Sequence, residues 1–215
     1  MKLRVGTRPS ELALKQVEEI ARAVPAVEFE IVPIETTGDL DKTTPLSSVE
    51  GGDFFTRQIE EALIAGKIDA AIHSAKDLEE SAPEGLAIAA LTRSASPCEC
   101  LVSRSGSTLK ELQSGAVVGT SSIKRKEAVL KFRPDLIVKD IRGDIDERLR
   151  QLYEGHYDAV IVAHAALIRL GYESRITEII LPSIIEPHHL QGRLAVQVRR
   201  DRKDLIDLFG VLNGT

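Results

Sequence analysis

The chain has 215 residues, with 28 lysines and arginines against 33 aspartates and glutamates and a formal net charge of -5. That length accommodates one large or two small domains with a real core, and the acidic balance excludes a general nucleic-acid binder, so any anion site must be local. Cys98 and Cys100, one residue apart, are the only cysteines, and no apolar run approaches the roughly 20 residues of a membrane span, so neither a disulfide scaffold nor a membrane protein is expected and a cytoplasmic location is.

Residues 3–5 read as a short strand, 6–10 as a turn and 11–24 as an amphipathic helix. Pro9, or Ser10 as cap, starts that helix, and Leu12, Leu14, Val17, Ile20 and Ala21 form its apolar stripe. Alternation over 27–34 predicts a strand with Val27, Phe29 and Ile31 on one face and Glu28 and Glu30 on the other. Residues 36–52 are polar, contain Pro45 and three glycines and show no period, which predicts a long mobile loop of the functional or disordered kind. A helix over 54–65 is closed by Gly66, and a buried strand over 68–72 runs into His73, read as a core histidine rather than a base. A further strand covers 86–91, and 92–97 looks like a crossing between domains.

Residues 116–126 read AVVGTSSIKRK and continue as a helix to Phe132. Thr120, Ser121 and Ser122 offer capping hydroxyls, yet the first turn carries Lys124, Arg125 and Lys126. Three cations at an already electropositive helix end cost roughly 0.3–1 kcal/mol each unless an anion sits among them. A bound anion and a solvated basic end both stand as readings. A strand over 136–141 then leads to Arg142-Gly143-Asp144, where Asp144 caps the next helix and Arg148 lies four residues beyond it.

The second half repeats the first. Val118-Gly119-Thr120 echoes Val5-Gly6-Thr7, and Gly155-His156-Tyr157-Asp158-Ala159 echoes Gly66-Lys67-Ile68-Asp69-Ala70. Two α/β domains of similar topology are expected, with ligand groups at the carboxyl ends of their strands. The residues just past those strands are Arg8, Ser10, Lys76, Asp77, the run 120–125 and Arg142. Cations and hydroxyls with one acid suit a ligand bearing several carboxylates, and the acid is suited to stabilising a developing cation or holding ligand N–H groups. The plainer alternatives are a self-neutralising Lys76–Asp77 pair and an Arg148–Asp144 pair on one helix. His188-His189 and Cys98-x-Cys100 lack metal-site spacing, so no metal is expected.

Taken together, GTRPSELAL (6–14), TTGD (36–39), HSAKDL (73–78), VGTSSIKRK (118–126), FRPDL (132–136), RGDIDERL (142–149), YDAVIVAHAALIRLG (157–171) and LQGRLAV (190–196) resemble the porphobilinogen deaminase, or hydroxymethylbilane synthase, family over nearly the whole chain. The resemblance implies two periplasmic-binding-protein-like (type II) domains with mixed sheets flanked by helices and a cleft between them. Domain 1 would comprise 1–93 and 187–215, and domain 2 would comprise 97–186. The implied activity joins four porphobilinogen units head to tail on a dipyrromethane primer with loss of ammonia, in tetrapyrrole biosynthesis. In that scheme Asp77 is catalytic. Ser10, Lys76, Thr120, Ser121, Ser122, Lys124, Arg125, Arg142 and Gly143 bind the primer, and Arg8, Arg142, Arg148, Arg169 and Phe55 bind substrate.

Departures from the family pattern matter for the primer. Members normally continue into a third domain whose cysteine anchors it, whereas this chain stops at Leu212-Asn213-Gly214-Thr215. Lys124 stands for the usual arginine and forgoes its planar fork, Leu190-Gln191-Gly192 stands for Gly-Gln-Gly, and Gly52-Asp53 lacks the expected loop lysine. Pro97-Cys98-Glu99-Cys100 stands for Pro-Arg-Asp-Ala. The expectation is a primer held non-covalently, with a third domain supplied by a separate chain or a covalent link to Cys98 or Cys100 as the alternatives. A non-catalytic clamp for a multi-carboxylate ligand remains the rival reading, with no nucleic-acid or membrane partner.

Overall fold

Ser10 accepts a hydrogen bond from the Ala13 N–H at 3.3 Å and so caps α1 (Glu11–Ala23). A computed structural model describes residues 1–41, 44, 53–79 and 81–214. The chain forms two units, the first built from Met1–Asp41, Gly51–Ala95 and Gly192–Thr215 and the second mainly from Ser96–Gln191.

In the first unit β1 (Lys2–Thr7), β2 (Glu28–Pro33), β3 (Ala70–Ser74), β4 (Leu86–Leu91) and β10 (Leu194–Arg199) form one sheet in the order β2-β1-β3-β10-β4. β1 runs parallel to β2 and β3, whereas the returning β10 is antiparallel to β3 and β4. On one face Leu3 and Val5 pack with Val17 and Ile20 of α1 and with Leu205 and Phe209 of α7 (Lys203–Gly210). On the other, Ile59 and Leu63 of α3 (Arg57–Ile64) pack with Ile68, Ala71 and Leu86.

Three expectations change. The buried face of α1 is Ala13, Gln16, Val17 and Ile20, and Leu12 and Leu14 are only half-buried. Ile31 is 40% exposed because β2 is an edge strand, while Phe29 still packs edge-on against Phe209. Residues 37–40, expected as irregular loop, form the single turn α2 (Thr37–Leu40), closed by a capping box between Thr36 and Asp39. The rest of the expected loop, 42, 43 and 45–52, lies outside the described residues.

The second unit repeats this order. β5 (Glu99–Ser103), β6 (Val117–Gly119), β7 (Ile137–Lys139), β8 (Ala159–Ala163) and β9 (Glu178–Ile180) run β7-β6-β8-β5-β9, again with the fourth strand antiparallel. α4 (Ile123–Phe132) packs Val129 with Leu101, Leu109, Val118 and Ile161 on one face. α5 (Ile145–Tyr153) and α6 (His164–Leu170) pack Leu149, Leu152 and Leu167 with Cys100, Val160 and Val162 on the other.

The internal repeat has an atomic basis. The Asp69 carboxylate accepts the Arg4 N–H at 2.9 Å while its own N–H donates to the Arg4 carbonyl; Asp158 does the same with Val117 at 2.8 Å. Two residues on from Arg4 and Val117, Gly6 and Gly119 have no room for a side chain, since an added Cβ would lie 2.3 Å from Ile68 Cδ1 and 2.9 Å from Tyr157 Cδ1. Ile68 and Tyr157 are themselves the echoed positions of the second motif.

A buried polar chain crosses the α3 side of the first sheet. Gln197 Nε2 donates to Glu60 Oε1 at 2.8 Å, Thr56 reaches Glu60 Oε2 at 3.5 Å, and Gln197 faces His73. Burial holds His73 down to about 4, which makes it a neutral core residue at pH 7. Burial also raises the Glu60 carboxyl above its ordinary value, outweighing its hydrogen bonds from Gln197 and Thr56. With the folded value above the unfolded one, the native state holds the extra proton, so stability falls as pH rises from the unfolded carboxyl range through the folded value. Glu60→Gln keeps acceptor and shape without the ionisation. Urea unfolding is therefore expected to show its stability gain over the parent growing from pH 4 to pH 7. No helix among the described residues is long and apolar enough to cross a membrane.

Candidate active site

In the first unit the candidate residues follow β1 and β3, which pair in parallel with Gly6 opposite Ala71. Thr7 Oγ1 donates to the Ile72 carbonyl at 3.4 Å, linking β1 to β3, and Gln16 Nε2 of α1 donates to Ser74 Oγ at 2.9 Å, linking the helix to the end of β3. Past β3, Ala75–Asp77 forms a single 3-10 turn that leaves Lys76 and Asp77 half-buried. Ala75 N–H donates to the Arg193 carbonyl at 3.0 Å, and Leu78 N–H returns to the Ala75 carbonyl at 3.3 Å. The position of Asp77 thus rests on backbone bonds rather than on its own side chain.

Arg8 is engaged from two sides. Its Nε and Nη2 grip Asp39 at 2.5–3.2 Å, and the Phe55 ring centroid lies 4.3 Å from its Cζ. Burial pushes the Asp39 carboxyl up, but Arg8 and the Thr36 hydroxyl and N–H outweigh it and hold the carboxyl below its ordinary value. Asp39 was not among the expected site residues. The only sign of it in the sequence is its place in the TTGD motif.

In the second unit the hydroxyls divide their work. Thr120 is buried and its Oγ1 accepts the Ser122 N–H at 3.3 Å; Ser121 Oγ donates to the Ile141 carbonyl; Ser122 Oγ accepts the Arg125 N–H at 3.4 Å and caps α4. Of the three cations in the first turn, Lys124 and Lys126 are exposed. Arg125 turns inward, its Nη2 on Glu99 Oε2 at 2.7 Å and its Nη1 on the Ile161 carbonyl at 3.4 Å. Its charge is therefore balanced inside the unit, and the unopposed excess at this helix end falls on the two lysines.

Arg142 follows β7, and its carbonyl accepts from Gln151 Nε2 at 2.9 Å. Gly143 has φ +104°, and a Cβ there would lie 2.6 Å from Glu147 Oε2, the group that closes the capping box of α5 with Asp144. Glycine is thus demanded by backbone and packing alike. Arg148 Nε donates to the Gly143 carbonyl at 2.8 Å, while Asp144 Oδ1 accepts the Glu147 N–H at 2.9 Å. Arg169 ends α6 ahead of the left-handed Gly171. No cluster of three or more metal-ligand side chains occurs among the described residues.

The donor set of the second unit fits a group with several carboxylates. The first turn of α4 holds no acid and presents Lys124 and Lys126, with Arg142, Arg148 and Arg169 following the neighbouring strands.

Residues 3–207 match the family model described as porphobilinogen deaminase, dipyromethane cofactor binding domain. The chain is 44% identical over 208 residues to a probable porphobilinogen deaminase of Archaeoglobus fulgidus, covering 96% of this chain and 72% of that one. It is 43% identical over 217 residues to the porphobilinogen deaminase of Bacillus thuringiensis (strain Al Hakam), covering 99% and 70%. Among solved structures, an ancestral cationic amino acid solute binding protein superposes with TM-score 0.58 at 15% identity over 98% of this chain and 87% of that one. The Bordetella pertussis BvgS VFT2 domain gives 0.53 at 14% over 98% and 84%. Those two likenesses place the fold with the type II periplasmic-binding-protein-like proteins. With two relatives above 40% identity and a family model spanning nearly its full length, this chain belongs to the porphobilinogen deaminase family.

Proposed function

We propose that the chain acts in tetrapyrrole biosynthesis as a hydroxymethylbilane synthase, condensing four porphobilinogen units head to tail with release of ammonia. The observation that carries this is the family match over residues 3–207 together with Asp77 at the end of β3, in the unit that also carries Arg8 and Lys76. Asp77 accepts pyrrole N–H and stabilises the positive charge that develops on the substrate as ammonia leaves. Arg8, Arg142, Arg148 and Arg169 hold the acetate and propionate arms, and Phe55 covers an aromatic ring. A non-catalytic clamp for an acidic ligand has the same fold, and the family match favours the enzyme. Ammonia release on mixing the purified chain with porphobilinogen tests the reading, and its absence would overturn it.

Dipyrromethane, when bound, supplies the nucleophilic pyrrole end to which substrate is joined. Lys124, Lys76 and Arg142 would hold its carboxylates, with the Ser10 and Ser122 O–H groups adding hydrogen bonds, whereas Ser121 has its proton on the Ile141 carbonyl and Thr120 is buried. These residues bind by charge and hydrogen bonding, and the buried thiol of Cys100 is a poor anchor. Cys100 is fully buried in β5, where burial and the neighbouring Glu99 push its thiol up to about 12. Cys98 is half-buried, so of the two thiols it is the one an adduct would reveal. The expected result is that the denatured chain shows the unmodified mass of 23.5 kDa by intact mass spectrometry. A surviving adduct of dipyrromethane size would refute non-covalent attachment.

A further inference from the structure

We infer that Asp39 is a positioning residue for Arg8: it fixes one edge of the guanidinium and leaves the next edge as a preset fork for a substrate carboxylate. The inference rests on the proposed role of Arg8 in binding substrate.

A guanidinium has five N–H groups in a rigid plane. Asp39 takes the side formed by Nε and Nη2, with Nε at 3.0 and 3.2 Å from its two oxygens and Nη2 at 2.5 Å from Oδ1. Nη1 makes no hydrogen bond among the described residues, so one of its N–H groups and the second one of Nη2 form a fork on the next edge. The Arg8 side chain is 27% exposed, so this edge is reachable, whereas the Asp39 side chain is only 13% exposed.

Asp39 is itself held. Its Oδ2 accepts both the Thr36 N–H at 3.0 Å and the Thr36 hydroxyl at 2.7 Å. A carboxylate gripped by its own helix cap is built to stay in place, which argues against its being a plug that a ligand displaces. The face of the guanidinium is fixed too. Phe55 lies over it, and the ring occupies the space a Cβ on residue 38 would take, 2.1–2.7 Å away, so Gly38 is what lets the ring sit there. Gly38 N–H donates to the Phe54 carbonyl at 2.9 Å, and Thr37 and Gln58 exchange two bonds at 2.9 and 3.2 Å. The turn bearing Asp39 and the turn bearing Phe55 are thereby tied into one frame around Arg8. An arginine so restrained loses little side-chain entropy when it binds a carboxylate.

The test uses Asp39→Asn, Arg8→Lys and the double variant. Asparagine turns an N–H donor toward the guanidinium and releases it without removing bulk. The expected result is a KM for porphobilinogen raised roughly tenfold with kcat changed by less than about threefold, an unchanged melting temperature, and loss of the slowly exchanging Arg8 Nε–H signal by NMR. Arg8→Lys should raise KM similarly, and the double variant no further, because Asp39 acts through Arg8. An unchanged KM in a folded Asp39→Asn variant overturns the inference, as does an additive double variant. If the parent chain releases no ammonia, the proposed activity fails, and calorimetric binding of porphobilinogen then decides the inference separately. Weaker binding in Asp39→Asn than in the parent sustains it, and equal binding or none in either refutes it.

Discussion

Asp77→Ala is expected to abolish ammonia release from porphobilinogen, by at least about 10³-fold, while leaving the fold intact. The turn Ala75–Asp77 is held by backbone bonds to Arg193 and Leu78, and among the described residues the Asp77 side chain makes no hydrogen bond or ion pair that supports it. Alanine is compatible with that turn, so circular dichroism and melting should match the parent. The loss should appear in kcat and kcat/KM together, because the carboxylate acts on charge that exists only as ammonia departs. Asp77→Asn separates two contributions. It keeps an acceptor for pyrrole N–H groups but removes the negative charge, so its substrate affinity should survive better than its turnover. Near-parental turnover in either variant would remove Asp77 from the mechanism, and a global loss of structure in both would assign it to folding instead.

What the sequence disclosed and what it hid follow the range of the interactions. The repeat was readable because each half stores its contacts in two short motifs: an aspartate that pairs with a strand backbone, and a glycine pressed against a side chain of the other motif. Residues capable of those contacts, and few others, serve at those positions, so the spacing itself carries the information. Caps were equally local, with Ser10, Ser122 and Asp144 each bonding the N–H three residues on. The pairings that govern the candidate site were hidden because their partners lie far apart. Arg8 meets Asp39 across 31 positions and Arg125 meets Glu99 across 26, with nothing in the composition of either segment to link them. Reading cations as an inventory therefore overstated what remains to face a ligand, since Arg125 is wholly coupled to Glu99 and Arg8 has one edge already taken by Asp39. Ile31 failed for a related reason: alternation identifies the faces of a strand, but only the sheet order shows that β2 lies at an edge.

Glu99→Ala should destabilise the second unit by about 3–5 kcal/mol, the usual cost of stranding one member of a buried ion pair. The side chains of Arg125 and Glu99 are 10% and 6% exposed, and their 2.7 Å contact links the first turn of α4 to the start of β5. Without Glu99 the guanidinium retains only the Ile161 carbonyl, at 3.4 Å, and must either stay buried and charged or swing out and open the packing beneath α4. Two separate units can melt in separate transitions, so urea unfolding followed by amide exchange at Val129 and Ile161 would report on the correct one. Replacing both partners with apolar residues of similar volume, Glu99→Leu with Arg125→Met, should recover most of the loss, because the penalty is an uncompensated charge and not a missing contact. Such a variant also asks whether Arg125 contributes directly to ligand binding. If the apolar pair restores stability and leaves the KM for porphobilinogen unchanged, Arg125 serves to seat α4, and the anion-binding charge of that helix end belongs to Lys124 and Lys126. A loss under about 1 kcal/mol in Glu99→Ala would show that water reaches the pair and that the ion pair is not truly buried.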